Sequence, residues 1–313
     1  MKTRFLLVVS LFLWVCVLLQ AEPRAIGRQP GRAVAVTIDD LPATDDVRVA
    51  EINRKLLASF ARHRIPVVGF VNEGKLHVGR EMEARIGLLR SWLDAGYELG
   101  NHTYSHIAIG NATLAEYKED VIRGEAAIRR LMREKGQTLR YFRHPQLRTG
   151  QTAEYERELN AFLAERGYTV APVTIDNQEW IFAAGYAAAR KRGDARNAER
   201  IARAYVPYLE ECFAFFEGLS QETLGYEVKQ TLLLHANEIN ADHFDEVAAM
   251  MKRRGYRFVT LADALADPAY RLPTKFMPRG ESWLHRWRAA RELPLRAEPR
   301  EPPWLSRLLD SYR

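Results

Sequence analysis

Cysteine is almost missing: the 313 residues contain two, Cys16 and Cys212. Cys16 lies in an N-terminal segment expected to be removed, so no intramolecular disulfide is available and an exported enzyme of this size must rely on its core. Cys212 stands among Tyr208, Leu209, Phe213 and Phe216 at helical spacing, which suits a buried apolar residue better than a nucleophile. The N-terminal apolar run, 5–19, is 15 residues long and broken by Ser10, short of the roughly 20 needed to span a bilayer as a helix. Blocks of like charge are absent too. The 46 basic and 40 acidic residues are interspersed, so the formal charge of +6 suits work beside anionic polymers or membrane surfaces but makes no case for nucleic acid. There is no repeat and no low-complexity tract.

What is present begins with a secretory signal. Lys2 and Arg4 precede the apolar run, and Gln20-Ala21-Glu22 follows it, which predicts a signal peptide over 1–21 cleaved after Ala21. The expected location is periplasmic or extracellular, with no stable membrane insertion after cleavage; an uncleaved N-terminal anchor is the alternative. The mature chain alternates short β-like runs with amphipathic stretches, the pattern of a parallel α/β fold. Strands are expected over 33–38, 66–71, 97–100, 139–142, 168–173, 231–234 and 256–260, and helices over 47–63, 80–95, 114–135, 153–166 and 242–254. A long helical region, about 180–220, reads as an insertion on the outside of a barrel. The barrel domain is expected over 22–268 and an irregular wrapping tail, rich in Arg and Pro with Trp283, Trp287 and Trp304, over 269–313.

In a parallel barrel, functional side chains leave the C-terminal ends of strands. Asp39 and Asp40 follow the first expected strand, His102 the third, Arg143 the fourth, Asp176 the fifth, and His235 the strand near Thr231, so all fall on one rim. Adjacent carboxylates can divide labour, one binding a cation and the other taking a proton; a plain Asp-Asp-Leu-Pro turn is the competing account. His102 and His106 stand four apart, and one helical turn brings such rings to a common face, close enough to share a metal. Thr103 and Ser105 can supply hydrogen bonds that orient the rings. Arg143 can pair with a carboxylate, or can be an ordinary surface arginine. Trp180 can be core or a wall for a sugar ring. His235 can be a satisfied structural residue; its rim position argues for more.

Taken in order, these segments resemble the polysaccharide deacetylases, the NodB-homology group of carbohydrate esterase family four. The resemblance covers about 32–261 and five motifs: Thr37-Ile38-Asp39-Asp40, the pair His102 and His106, Arg143 to Pro145, Asp176 to Trp180, and Leu233 to His235. It implies an α/β fold, a distorted (β/α) barrel of the NodB-homology deacetylase type, with the helical insertion before the last catalytic strand. It implies a zinc-binding set of Asp40, His102 and His106, with Asp39 as base held by Arg143 and His235 as acid oriented by Glu179. The implied reaction is removal of an acetyl group, N-acetyl in preference to O-acetyl, from a cell-envelope or extracellular glycan. A metal-activated water attacks the acetyl carbonyl, a backbone N–H near Gln146 meets the oxyanion, and His235 protonates the leaving group.

The sequence departs from the family pattern in four places. Gln146 stands where an aromatic is usual, Glu179 where Asp is usual, Leu41-Pro42 where Gly follows the acid pair, and Ala236 where Asp is common. None removes an implied ligand or proton carrier, but all bear on substrate identity. Three other readings compete: a hydrolase of a non-sugar amide on the same barrel, a non-haem iron oxygenase with the same ligand types, and a non-catalytic glycan-binding protein.

Overall fold

The run Ala-Val-Ala-Val-Thr-Ile-Asp-Asp-Leu forms β1, Ala33–Leu41, almost wholly buried as a central parallel strand must be. The computed structural model describes residues 31–45 and 47–312, and the expected signal peptide lies outside them. The remaining strands are β2 (Val67–Val71), β3 (Glu98–Asn101), β4 (Tyr141–Phe142), β5 (Thr169–Val170), β6 (Gln230–His235) and β7 (Arg257–Phe258). All pair in parallel, in the order β5-β4-β3-β2-β1-β6, with β7 beside the start of β1. Beyond β5 the sheet curls back on itself: Ile175 bridges Leu232 of β6, and Leu233 N–H donates to the Ile175 carbonyl at 3.3 Å. The result is the distorted (β/α) barrel expected from the sequence. The two-residue β4, β5 and β7 are what make it irregular.

Amphipathic helices cover the sheet: α1 (Val49–His63), α2 (Met82–Asp94), α3 (Leu114–Arg123), α4 (Ala126–Glu134), α5 (Ala153–Glu165), α6 (Glu179–Lys191), α7 (Ala195–Leu224), α8 (Glu238–Arg253) and the short α9 (Leu261–Leu265). The helix expected over 114–135 is two helices. Gly124 sits at the break, where a Cβ would meet the Thr103 carbonyl carbon at 2.5 Å, so the chain turns there against the segment holding the paired histidines. The insertion over about 180–220 is α6 and α7, which pack together through Phe182 and Tyr205, both fully buried, and meet α8 where the Tyr205 hydroxyl donates to Asn240.

The tail is not irregular throughout. It contains α10 (Trp283–Ala290) and α11 (Pro303–Tyr312). Ser282 caps α10 by accepting from His285 N–H, and Trp287, 1% exposed, stacks edge-on against Tyr270 at 5.5 Å. Leu305 of α11 is fully buried on α6, where Gly185 leaves room for it. The many Arg and Pro residues obscure this spacing in the sequence. Among the described residues, no helix is long and apolar enough to cross a membrane.

Candidate active site

Neighbouring residues on a regular strand point to opposite faces, so two adjacent carboxylates cannot both serve one cleft without a distortion. The end of β1 supplies it. Its register against β2 shifts between Ile38 and Leu41, and Asp40 takes a left-handed backbone (φ 68°), a conformation Asp tolerates better than most residues. Asp39 pairs in register with His235 at the end of β6. Both acids line a cleft of about 720 Å³ together with His102, His106, Gln146, Trp180 and His235.

His102 and His106 do not lie on a helix. The segment is a loop with left-handed Thr103 (φ 64°) and His106 (φ 56°), and this fold brings the two rings to 5.0 Å between centroids. The Nε2 atoms of both rings lie 3.7 Å from Asp40 Oδ1. That oxygen is buried and has no hydrogen-bond partner among the described residues. His102 Nδ1 donates to the Arg143 carbonyl at 2.8 Å, which fixes the proton there and leaves Nε2 with a free lone pair. Burial lowers the pKa of both rings, despite the pull of Asp40, so both are neutral ligands at pH 7. Three ligand atoms about 2.1 Å from one zinc stand roughly 3.4 Å apart. The three here lie within 4.8 Å of one another, so small side-chain adjustments would seat a divalent ion. The expected hydrogen bonds from Thr103 and Ser105 to the rings are not made. Ser105 Oγ donates to Asp120, and Thr103 Oγ1 has no partner among the described residues.

Asp39 is 2% exposed, and burial pushes its pKa up to about 6 against the opposing pull of Arg143 and His235. Arg143 is fully buried, 3.9 Å from Asp39 through Nε, donates to Thr37 Oγ1 at 2.7 Å, and lies over the Phe70 ring. It holds Asp39 by charge rather than by a tight fork. Asp40 keeps its charge by different means. Burial alone would raise its pKa, but Lys75, His235, His106 and His102 together hold it well below the usual range. His235 Nδ1 donates to Glu179 Oε2 at 2.8 Å, so the longer side chain at 179 does reach the ring. Burial would discharge His235, yet the Glu179 charge and hydrogen bond outweigh it and raise its pKa to about 9.

Residues 26–171 match the family model for polysaccharide deacetylases. Over that span the chain is similar to the polysaccharide deacetylases. It is 24% identical over 147 residues to the peptidoglycan-N-acetylglucosamine deacetylase of Bacillus cereus, which covers 47% of this chain and 46% of that protein. The chain thus matches less than half the length of that curated relative. Among solved structures, it is similar to a CE4-family pseudoenzyme from Bacillus anthracis, with TM-score 0.50, 14% identity, and coverage of 76% of this chain and 66% of that one. A mutant of that pseudoenzyme with restored enzymatic activity gives TM-score 0.50, 16% identity, and coverage of 76% and 68%. These likenesses speak for the barrel fold.

The elements beyond the matched span build half of the cleft. Glu179 and the half-exposed Trp180 open α6, where Asn177 Nδ2 donates to the Leu233 carbonyl at 2.8 Å and ties that turn to β6. Asp176 also lines the cleft; burial and the charge of Glu298 raise its pKa. Gln146 stands at left-handed φ (57°) in a short turn after β4. Several residues of the site were not expected from the sequence. Lys75 Nζ lies 3.3 Å from Asp40 Oδ2, occupying the carboxylate oxygen that the histidines leave free. Arg148, Arg279, Gly280 and Glu298 complete the wall. The last three come from the tail, whose sequence offers no motif to mark them. A larger cleft of about 1150 Å³ lies between Arg48 and α6–α7, where Arg48 and Arg190 are both paired with Glu238.

Proposed function

We propose that this chain is a metal-dependent hydrolase that removes acetyl groups, N-acetyl in preference to O-acetyl, from a cell-envelope or extracellular glycan. One observation carries the reading: a carboxylate and an imidazole, Asp39 and His235, stand side by side in register at the rim that also gathers Asp40, His102 and His106. Asp40, His102 and His106 would hold the ion, and a bound divalent metal polarises a carbonyl and brings the pKa of water down to about 7.

The chain's own residues divide the proton work. Asp39, with a pKa near 6, is ionised at neutral pH and accepts the proton of the attacking water. Arg143 keeps that carboxylate in place and charged. Glu179 raises the pKa of His235, and His235 in its acid form would deliver the proton to the leaving atom. An amine leaves only when protonated, whereas an alcohol is far less demanding, so a histidine held in its acid form favours amide over ester cleavage. The backbone N–H at Gln146 is the candidate donor to the developing oxyanion, and Trp180 offers a ring face to a sugar. The signal-like segment 1–21 supports export, so the substrate belongs to the envelope or the surroundings.

Acetate release from a panel of acetylated glycans, with chelator treatment and zinc add-back, tests the proposal. The expected result is release from at least one N-acetylated glycan, lost with chelator and restored by zinc. Release from small acetamides but from no glycan would move the assignment to a non-sugar amide. No release from either, despite bound metal, would leave a glycan-binding protein.

A further inference from the structure

The cleft contains five charged residues whose partners are accounted for. Asp39 faces Arg143 at 3.9 Å, Asp40 faces Lys75 at 3.3 Å, His235 faces Glu179 at 2.8 Å, and Glu298 faces His285 at 3.0 Å. Asp176 caps its own turn by accepting from Asn177 N–H. Two lining cations differ. Arg148 is half-buried and Arg279 exposed, and neither forms an ion pair with a carboxylate among the described residues. Arg279 feels the charge of Glu281 without contacting it. Two cations on one cleft wall with no carboxylate partner leave guanidinium donors free for an incoming acceptor.

One backbone contact brings the two chain segments that carry these arginines to the same cleft wall. Gly280 packs so tightly on the Gln146 carbonyl that a Cβ at Gly280 would meet its oxygen at 1.7 Å and the Leu147 carbonyl carbon at 3.4 Å. Arg279 immediately precedes that contact in the tail, and Arg148 follows it by two residues on the other strand of chain. The contact is itself fixed. Arg286, 1% exposed, donates to the Leu147 carbonyl at 2.9 Å and to Thr149 Oγ1 at 3.2 Å, bracketing Arg148. Trp283 N–H donates to the Val173 carbonyl at 2.7 Å and holds the tail on the barrel.

We infer that Arg148 and Arg279 form an oxyanion subsite beside Gln146, and that the glycan taken by this cleft carries an anionic group, carboxylate or phosphate, next to its acetylated sugar. The glycan identity rests on the deacetylase reading; the anion subsite rests on the arginines alone. Two forks facing one cleft suit the paired oxygens of either group. Arg148, partly shielded from solvent, supplies most of the affinity, and exposed Arg279 adds a salt-sensitive share.

The test compares length-matched oligosaccharides of N-acetylglucosamine that are neutral, carboxylate-bearing or phosphate-bearing. Binding is measured by calorimetry on the full chain carrying Asp39→Asn with zinc bound, and acetate release on the wild type. Anionic oligomers are expected to bind tighter than neutral ones by roughly tenfold to a hundredfold, as charge-assisted contacts allow. The carboxylate and phosphate arms identify which source is preferred. Arg148→Gln should bring the ratio of anionic to neutral affinity close to one. Arg279→Ala, a surface change that leaves folding intact, should reduce it roughly two- to fivefold, with less effect at high salt. Equal binding of neutral and anionic oligomers by the unsubstituted site, or a ratio kept in both variants, overturns the subsite. Anion-selective binding without acetate release from any oligomer would overturn the deacetylase reading and leave the subsite standing.

Discussion

His235 donates Nδ1–H to Glu179 Oε2 at 2.8 Å, and that carboxylate is fully buried at the first turn of α6. Glu179 also accepts from the side chains of Asn237 and Asn240, both buried, so it cannot turn away from the ring. A buried, immobile anion on Nδ1 keeps the opposite nitrogen protonated and facing the cleft. In metal-free protein, His235 is expected to titrate near 9, because the Glu179 interactions overcome burial. Glu179→Gln removes the strongest influences holding the proton, so the pKa should fall, with only the Asp40 and Asp39 charges left to oppose burial. Imidazole resonances followed against pH report this directly. A cation on Asp40 lowers both values but not their order. On the proposed mechanism the acid form is the working one, so the alkaline limb of kcat/KM should move to lower pH in Glu179→Gln. An unchanged titration would remove Glu179 from its orienting role.

His144 makes a prediction about stability. It is 1% exposed, neither ring nitrogen has a hydrogen-bond partner among the described residues, and burial with two nearby arginines lowers its pKa to about 3. Between pH 6.5 and 3 the unfolded chain binds a proton there and the folded chain does not. Unfolding is therefore favoured as the pH falls through that window. The contribution is on the order of a few kcal/mol by pH 3. His144→Met, similar in volume and without a titrating group, should flatten the acid side of the curve of stability against pH. Parallel denaturation curves for both proteins at pH 7 and pH 4 check it. An equal acid loss in both would show that His144 does not drive it.

The tail should matter to both stability and turnover. Arg286 is buried against the Leu147 carbonyl, Thr149 and Glu156, so Arg286→Ala leaves several polar groups unpaired, at a cost of about 3–5 kcal/mol. Arg286→Lys should rescue little, since one ammonium cannot replace a planar fork on two partners. Gly280→Ala inserts a methyl where the Gln146 carbonyl already stands, so the tail must lift. Thermal unfolding and steady-state kinetics are expected to show reduced Tm for Arg286→Ala and reduced kcat for both variants. Wild-type kcat in Gly280→Ala would separate the tail from the chemistry.

The contrast between tail and rim explains what was legible in the sequence. The long central strands were visible because runs such as Leu232–Leu234 are continuous, and the short ones, such as Glu98–Asn101 and Arg257–Phe258, because helical periodicity stops on either side of them. The rim residues followed from strand ends, since a parallel barrel projects them one way. The acid pair was legible, but the means of aiming both carboxylates was not. That depends on the left-handed Asp40 and a register shift, features that no residue type in Asp-Asp-Leu-Pro dictates. The paired histidines were expected on a helix because spacing alone cannot tell a helical turn from a loop with Thr103 and His106 at positive φ. Lys75, Arg148 and Arg279 carry no signal beyond being basic. Arg286 meets Leu147 across 139 residues, a contact that only the closed barrel creates.

The central claim is that two adjacent carboxylates have separate duties, Asp40 as ligand and Asp39 as base. The most direct measurement takes one sample of the Asp39→Asn protein and determines both its zinc content and its acetate release from an N-acetylated glycan that the wild type hydrolyses. The account predicts one zinc per chain, as in the wild type, with release reduced by roughly a hundred- to ten-thousand-fold. Release near the wild-type rate, or loss of the zinc along with activity, would contradict it.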